Sequence, residues 1–203
     1  MLEQWPDHSS SSAGESFTSI GAWRGPNGPI EYRGQTYGLR VHEFRRFLTL
    51  PRISGCKFEL ALDIHPSEAR DLGLLRENGW HLVDPRTVAD SPAAYQQYIR
   101  QSRGEFLVAK NMYVKTRSGW VSDRSICYLA SGRPVVAQDT GLRELFPNGK
   151  GLLLYETLEE AADAVQRVSR DEALHRAAAR DIAEECFDSD KVLGRLLQKL
   201  GVA

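Results

Sequence analysis

Short apolar runs alternate along this chain with segments whose apolar residues recur every three to four positions. The apolar runs predict strands at residues 17–20, 58–63, 80–84, 106–109, 135–137 and 151–155. Runs this short and this apolar are typical of strands buried on both faces of a parallel sheet. Because helical segments separate most of them, we predict an α/β fold, a doubly wound Rossmann-like parallel sheet of about six strands in a single domain. Right-handed crossovers favour the strand order 3-2-1-4-5-6.

Start and stop signals delimit the helical segments. The apolar residues at 41, 44, 47 and 48 predict a helix over 39–50 that ends at Pro51, with Arg40 and Glu43 mostly on its polar side. Thr157 and Glu160 form a capping box that starts a further helix, and two more helices are predicted at 171–187 and 188–200.

Two segments lack any apolar period. Residues 1–16 contain four consecutive serines and predict a disordered tail or a linker, so that the domain covers residues 17–203. Residues 23–38 are rich in glycine and proline, and a loop this long is usually functional or mobile. The opening MLEQWPDH lacks the basic and apolar regions of a signal peptide, so none is expected.

Composition excludes several classes of function. The chain has 203 residues with 26 basic and 27 acidic side chains, a balance that argues against nucleic-acid or membrane binding. No apolar run approaches the ~20 residues of a membrane span. The three cysteines are far apart and lack metal-ligand spacing, so we expect no metal and a reduced, cytoplasmic setting.

Residues 117–146 are the stretch with the clearest chemistry. Ser122 and Asp123 suit a helix start, and Gly141 follows the buried run 135–137 where a strand gives way to a helix. We expect these two helix N-termini to lie side by side at the carboxyl ends of parallel strands, a place that favours phosphate. Taken alone, each joint is equally consistent with an ordinary helix cap or turn. No dinucleotide fingerprint or P-loop is present.

Basic residues follow two of the predicted strands. Arg24 comes just after the first strand and Lys110 just after the fourth, where a cation would meet a phosphate. The alternative for either residue is a solvated side chain at a strand end.

The same stretch resembles the C-terminal nucleotide-sugar-binding domain of GT-B glycosyltransferases, of the group 1 or spore-maturation-like type. Residues 130–137, ASGRPVVA, match that family's A-x-G-x-P-V-[VI]-A phrase, and residues 139–144, DTGLRE, match its D-x-G-G…E loop loosely. Residues 149–154 and 157–161 look like the strand and helix that follow in the family.

The resemblance implies a nucleotide-diphosphate sugar as substrate, with no cofactor and no metal. Asp123 would bind a donor hydroxyl, Arg124 a phosphate, and Val83 with Asp84 would border the nucleobase. The full set of implied donor-binding residues is Gly21, Arg24, Val83, Asp84, Lys110, Ser122, Asp123, Arg124, Ser125, Thr140, Gly141 and Glu144. The resemblance leaves the catalytic residues unknown.

The chain departs from the family pattern in two ways. Cys127 stands where retaining members often carry the ribose-binding glutamate, and residues 115–127 contain no glutamate. The chain also corresponds to one of the family's two halves, so the partner we expect is a missing N-terminal acceptor domain, contacted by residues 23–38 and 188–200. Without that domain we expect little catalysis. Two alternatives remain open: a non-catalytic Rossmann-like ligand-binding or interaction module, and a sugar-nucleotide epimerase.

Overall fold

Six parallel strands form the central sheet of this protein, whose computed structural model describes residues 2–202. The strands of this sheet are β1 (Ser16–Ala22), β4 (Lys57–Asp63), β5 (Trp80–Val83), β6 (Gly104–Leu107), β7 (Val135–Gln138) and β8 (Leu152–Tyr155). Two further strands, β2 (Ile30–Tyr32) and β3 (Gln35–Tyr37), pair with each other in a separate hairpin. The order across the central sheet is β5-β4-β1-β6-β7-β8, which confirms the predicted 3-2-1-4-5-6 arrangement.

Helices cover both faces of the sheet. They are α1 (Arg40–Phe44), α2 (Leu50–Ser54), α3 (Ala69–Glu77), α4 (Pro85–Val88), α5 (Pro92–Gln101), α6 (Asn111–Thr116), α7 (Asp123–Ala130), α8 (Leu158–Arg170), α9 (Glu172–Cys186) and α10 (Ser189–Leu200). One core joins the sheet to α1, α2 and α8, and a second joins it to α7 and α9. Among the residues that the structure describes, no helix is long and apolar enough to cross a membrane.

The segment predicted as one helix over 39–50 is interrupted. α1 ends at Phe44, a 3-10 turn spans Arg45–Phe47, and α2 starts at Leu50 with Pro51 in its first turn. Proline is well tolerated there because first-turn N–H groups have no partner inside the helix. Pro51 therefore opens α2, and the prediction that it ends a helix is wrong. Arg40 and Glu43, expected mostly on the polar side, are buried.

The long loop after β1 contains the β2–β3 hairpin. Arg33 and Gly34 connect its strands, and both have positive φ, as the tight two-residue hairpin turns require. Before the hairpin, Trp23 is anchored in the core and its indole N–H donates to Asp71 at 2.9 Å. The sequence did not reveal the hairpin because most of its residues are exposed and lack the one-sided alternation of a half-buried strand.

Residues 2–14, here called the N-terminal strap, lie along the helices α5, α7 and α9. Trp5 packs edge-on against Tyr95 with 5.9 Å between the ring centres. The Gly14 N–H donates to the Gln101 carbonyl at 2.8 Å. The sequence predicts a disordered tail over residues 1–16; residue 1, like residue 203, lies outside the described residues. The strap packs through one tryptophan and through backbone carbonyls that accept hydrogen bonds from arginines distant in sequence. A local sequence pattern cannot predict such long-range contacts.

Candidate donor-binding site

The predicted site residues lie along the carboxyl edge of the sheet, meaning the edge where all six parallel strands end. Gly21 is in β1 and Val83 ends β5, whereas Lys110 follows β6 and Thr140 follows β7. In open parallel sheets this edge is where ligands bind. The chain order alone therefore brings most of the predicted residues to one side of the molecule.

The start of α7 is the best-formed part of this edge. Ser122 is fully buried, and its hydroxyl accepts a hydrogen bond from the Arg124 N–H at 3.3 Å. Asp123 is 91% exposed, and Arg124 lies 3.8 Å from its carboxylate with 32% of the arginine side chain exposed. Ser122 thus acts as a helix cap. Asp123 and Arg124 are the members of this turn that remain accessible to a ligand.

Ser125 points into the protein. Its hydroxyl donates to the carboxyl of Glu105 on β6 at 2.5 Å, and both residues are buried. Burial raises the pKa of Glu105 to about 7, an effect that the Ser125 hydrogen bond partly opposes. The structure therefore uses Ser125 to pair a buried carboxyl behind α7 and does not bring it to the open edge.

The loops before α7 and after β7 are joined directly. The Gly119 N–H donates to the Thr140 carbonyl at 2.7 Å, and the Thr140 hydroxyl donates to the Trp120 carbonyl at 2.7 Å. The α7 start and the turn at Gly141 accordingly lie side by side, as the sequence predicts. Thr140 itself is fully buried.

The turn at Gly141 differs from the predicted helix start. Only a 3-10 turn, Leu142–Glu144, follows it. The N–H groups of Gly141 and Leu142 both donate to the buried Asp139 carboxylate, at 2.9 and 2.8 Å. These donors are already satisfied within the protein, so this turn offers a ligand fewer free N–H groups than a helix N-terminus would. Glu144 is exposed, with its carboxylate 3.5 Å from Arg117.

Three further predicted residues, Arg24, Asp84 and Lys110, already interact with neighbouring side chains or backbone groups of the protein. Arg24 donates to Glu68 at 3.0 Å, and this pairing raises the pKa of Arg24 and lowers that of Glu68. Asp84 caps α4 through the Arg86 N–H at 2.9 Å. Lys110 lies over the Tyr113 ring at 5.8 Å.

A groove opens beside two of these residues. Val83 and Asp84 line it together with residues 62–66 at the end of β4 and just beyond, and its volume is about 840 Å³. The groove lies between the carboxyl ends of β4 and β5, at the same edge as the α7 start.

Arg40 is a cation of this edge that the sequence analysis missed. It is buried, its Nη2 donates to the Ser19 hydroxyl at 2.8 Å, and its Nε has no partner within residues 2–202. A Cβ at Gly21 would lie 2.6 Å from its Nη1, so the absent side chain of Gly21 leaves room for the guanidinium. Burial, together with the positive charge of Arg124, lowers the pKa of Arg40 to about 10.

Glu43 is the second residue that the helical pattern concealed. Its buried carboxylate accepts hydrogen bonds from Arg46, Asn111 and Gln138, each at 2.6 Å. The Asn111 side chain in turn accepts from the Gly38 N–H at 2.8 Å. This network links α1 to the start of α6 and to the end of β7, and so it fixes the relative positions of these elements at the carboxyl edge.

Cys127 places no anion at the site. Burial raises the pKa of its thiol to about 12, and its sulfur lies 3.3 Å from the Asp123 carbonyl. A neutral thiol therefore stands where the family resemblance would place a carboxylate. In the part of the chain that the structure describes, no group of three or more His, Cys, Asp or Glu side chains is arranged to hold a metal ion.

Comparisons with solved structures show where this fold occurs. TarM has a TM-score of 0.56 at 14% identity, and the match covers 93% of this chain and 36% of TarM. Anabaena HepE in complex with UDP has a TM-score of 0.56 at 15% identity, covering 93% of this chain and 50% of HepE. A TarM variant from S. aureus, in complex with Fondaparinux, alpha-GlcNAc-glycerol and UDP, has a TM-score of 0.58 at 14% identity.

These similarities establish the fold, and the chain spans only about a third to a half of the proteins that it matches. A search of curated proteins found no match. The family model described as glycosyl transferase-like matches residues 57–197, which is well over half of the chain. The chain therefore belongs to the glycosyl transferase-like family, with the Rossmann-like fold of one half of a GT-B enzyme.

Proposed function

We propose that this domain binds the nucleotide-diphosphate sugar donor of a glycosyltransferase. The observation that carries the proposal is the pair of guanidiniums, Arg40 and Arg124, at the carboxyl edge beside the α7 N-terminus. The Nε of each is buried and has no hydrogen-bond partner among residues 2–202. Arg40 has no ion pair among the described residues, although burying an isolated charge is unfavourable. A diphosphate would neutralise both cations and would accept hydrogen bonds from them.

The other predicted residues have complementary roles in this proposal. The groove beside Val83 and Asp84 receives the nucleobase, and the exposed Asp123 binds a hydroxyl of the sugar. Lys110 and the exposed Glu144 contact the donor from neighbouring strand ends. Stabilisation of the departing diphosphate by Arg40, Arg124 and the α7 dipole would be the domain's main contribution to transfer.

The proposal includes a preceding acceptor domain. The chain spans 36–50% of the length of the glycosyltransferase structures that it resembles. We propose that transfer takes place against an N-terminal acceptor half and that the domain alone catalyses little. The spore-maturation-like subtype and the cytoplasmic location stay predictions from the sequence.

Calorimetric titration with UDP, GDP and ADP tests the proposal. UDP is the first choice because the HepE and TarM complexes contain it. We expect saturable binding that Arg124→Ala weakens about tenfold, since a hydrogen bond to a charged group contributes roughly 1.5–3 kcal/mol. The matched control is Arg52→Ala, which removes an exposed arginine of α2 near the opposite edge. Equal affinities in the two variants would refute the Arg124 assignment.

A non-catalytic interaction module is the second candidate. Two observations favour it: the neutral thiol of Cys127, and the capture of the Gly141 and Leu142 N–H groups by Asp139. A folded protein that binds none of the three nucleotides would support this candidate over a donor site.

A further inference from the structure

The serine run of the N-terminal strap lies against three arginines at the amino edge of the sheet. Arg133, which is fully buried, donates through Nη2 to the Arg100 carbonyl at 2.6 Å and to the Ser12 carbonyl at 3.3 Å. Its Nη1 is buried with no hydrogen-bond partner within residues 2–202. One guanidinium nitrogen thus keeps its donors unused beneath the strap.

Arg176 on α9 repeats this arrangement. Its Nη1 donates to the Ser11 carbonyl at 2.7 Å, whereas its buried Nε has no partner in the described part of the chain. Beside it, the exposed Arg100 lines a cavity of about 530 Å³ together with His8, Ser11 and Ser12. The cavity wall therefore carries hydroxyls and a cation, with no carboxylate among its lining residues.

The carboxylates that face this cluster are engaged elsewhere. Asp7 accepts from the N–H of Ser9 at 2.8 Å and from its hydroxyl at 3.0 Å, and Glu172 pairs with Arg103 at 3.0 Å. The pKa of His8 is lowered by burial and then by the positive charges of Arg100 and Arg133. Asp7 keeps its negative charge, but Arg100, Arg133 and Arg176 outnumber it, so the cluster has an excess of positive charge.

We propose that this cavity binds a phosphoryl group, which Arg100 contacts from the cavity wall. Arg176 and the buried Arg133 do not line the cavity; they hold the Ser11 and Ser12 carbonyls of its wall and add positive charge beside it. Guanidinium groups bind phosphate oxygens through strong, paired hydrogen bonds. The group has two possible sources, a free phosphate or a phosphate ester on Ser11 or Ser12 of the strap. In either case it ties the strap to α5 on the edge opposite the proposed donor site, so the inference is independent of that site.

A titration with inorganic phosphate tests the free-anion source on the unmodified chain. We expect saturable binding that weakens about tenfold in Arg100→Gln, which removes a direct contact. Binding should weaken less in Arg176→Gln, which removes a positive charge and the hydrogen bond to the Ser11 carbonyl. The exposed Arg52→Ala is the control, and it should bind as the wild type does. Binding that survives in the Arg100→Gln/Arg176→Gln double variant, or that disappears in Arg52→Ala, would overturn the assignment.

A semisynthetic chain carrying phosphoserine at position 11 or 12 tests the second source. We expect its urea midpoint to rise above that of the unmodified chain, and we expect the increase to vanish in the double variant. Stabilisation without phosphate binding would identify the strap serines as the source. Absence of both effects would refute the phosphoryl site altogether, whatever the nucleotide titrations give.

Discussion

Glu105 shows how burial changes the chemistry of a single residue behind the proposed site. Its side chain is fully buried in β6, one oxygen accepts from Ser125, and the other has no partner among residues 2–202. Burial raises the pKa of this carboxyl to about 7, although Arg124 and Arg40 act in the opposite direction. The folded protein therefore holds the Glu105 proton more tightly than the unfolded chain does.

This pKa predicts a pH-dependent difference between the wild type and Glu105→Gln. The stability that proton binding contributes is fully present below the ordinary pKa of 4.5 and is lost as the pH rises through about 7. Between about pH 4 and pH 8 we expect the free energy of unfolding of the wild type to fall by on the order of 3 kcal/mol relative to that of the variant. Urea unfolding across this range measures the difference.

The control for that measurement is Glu144→Gln, which changes a carboxylate that is 79% exposed. Its stability should follow that of the wild type at every pH. If Glu105→Gln also ran parallel to the wild type, the carboxyl of Glu105 would have an ordinary pKa, and the burial argument would be wrong.

At this scale the sequence predicts where site residues lie but not which of them are free. Arg24 and Asp84 follow strands and so reach the carboxyl edge, yet each pairs with a neighbour that only the folded chain supplies. From the sequence, Arg40 looks like a solvated helix residue. Its burial depends on Gly21 of β1, which is far away in sequence and has no side chain to occupy the space that the guanidinium fills. Local periodicity carries no information about such contacts.

The contact between the start of β8 and α9 also depends on a glycine, because the two backbones approach each other closely there. Gly151 has a φ of +71°, and a Cβ there would lie 2.5 Å from the Ala179 nitrogen and 2.6 Å from the Ala178 carbonyl carbon. Its N–H donates to the His175 ring at 3.3 Å. Because the contacts involve helix backbone, no flexible side chain can move aside.

Gly151→Ala should therefore destabilise the protein strongly. The left-handed backbone contributes about 1–2 kcal/mol to the loss, and displacement of α9 adds to it, for a total of roughly 2–4 kcal/mol. Urea unfolding measures the loss. Gly28→Ala is the matched control, since its φ lies outside the left-handed region and no atom lies within 4 Å of its added Cβ. A loss below about 1 kcal/mol for Gly151→Ala would contradict the close approach.

Among the elements, the strand order was predictable and two helix boundaries were not. The order follows from right-handed crossovers between buried runs, which the apolar pattern locates well. The break before α2 was missed because proline suits a first turn as well as a stop. The short turn after Gly141 depends on Asp139, whose carboxylate occupies the first N–H groups.

Over the whole molecule, the two terminal segments differ in how they join the domain. In the N-terminal strap, Trp5 packs against Tyr95, and carbonyls accept hydrogen bonds from Arg133, Arg176 and Arg180. In α10 no residue is buried, and its large apolar side chains are exposed. These exposed side chains are Val192, Leu193, Leu196, Leu197 and Leu200.

Deleting residues 2–14 should consequently lower stability far more than deleting residues 189–203. Loss of a packed tryptophan typically removes about 3–5 kcal/mol, and a half-buried one such as Trp5 should remove somewhat less. Loss of a helix without buried residues should remove less than about 1 kcal/mol. Urea unfolding followed by far-UV circular dichroism measures both deletions without relying on tryptophan fluorescence.

The comparison decides between two descriptions of the serine-rich segment. A large loss on removing residues 2–14 means that the strap belongs to the folded domain, because arginines on α9 and before β7 then need its carbonyls. If both deletions lowered the free energy of unfolding by equal and small amounts, the sequence-based prediction of a disordered tail would be supported. That result would also remove the cavity wall on which the phosphoryl site depends, since Ser11 and Ser12 line it only while the strap is in place.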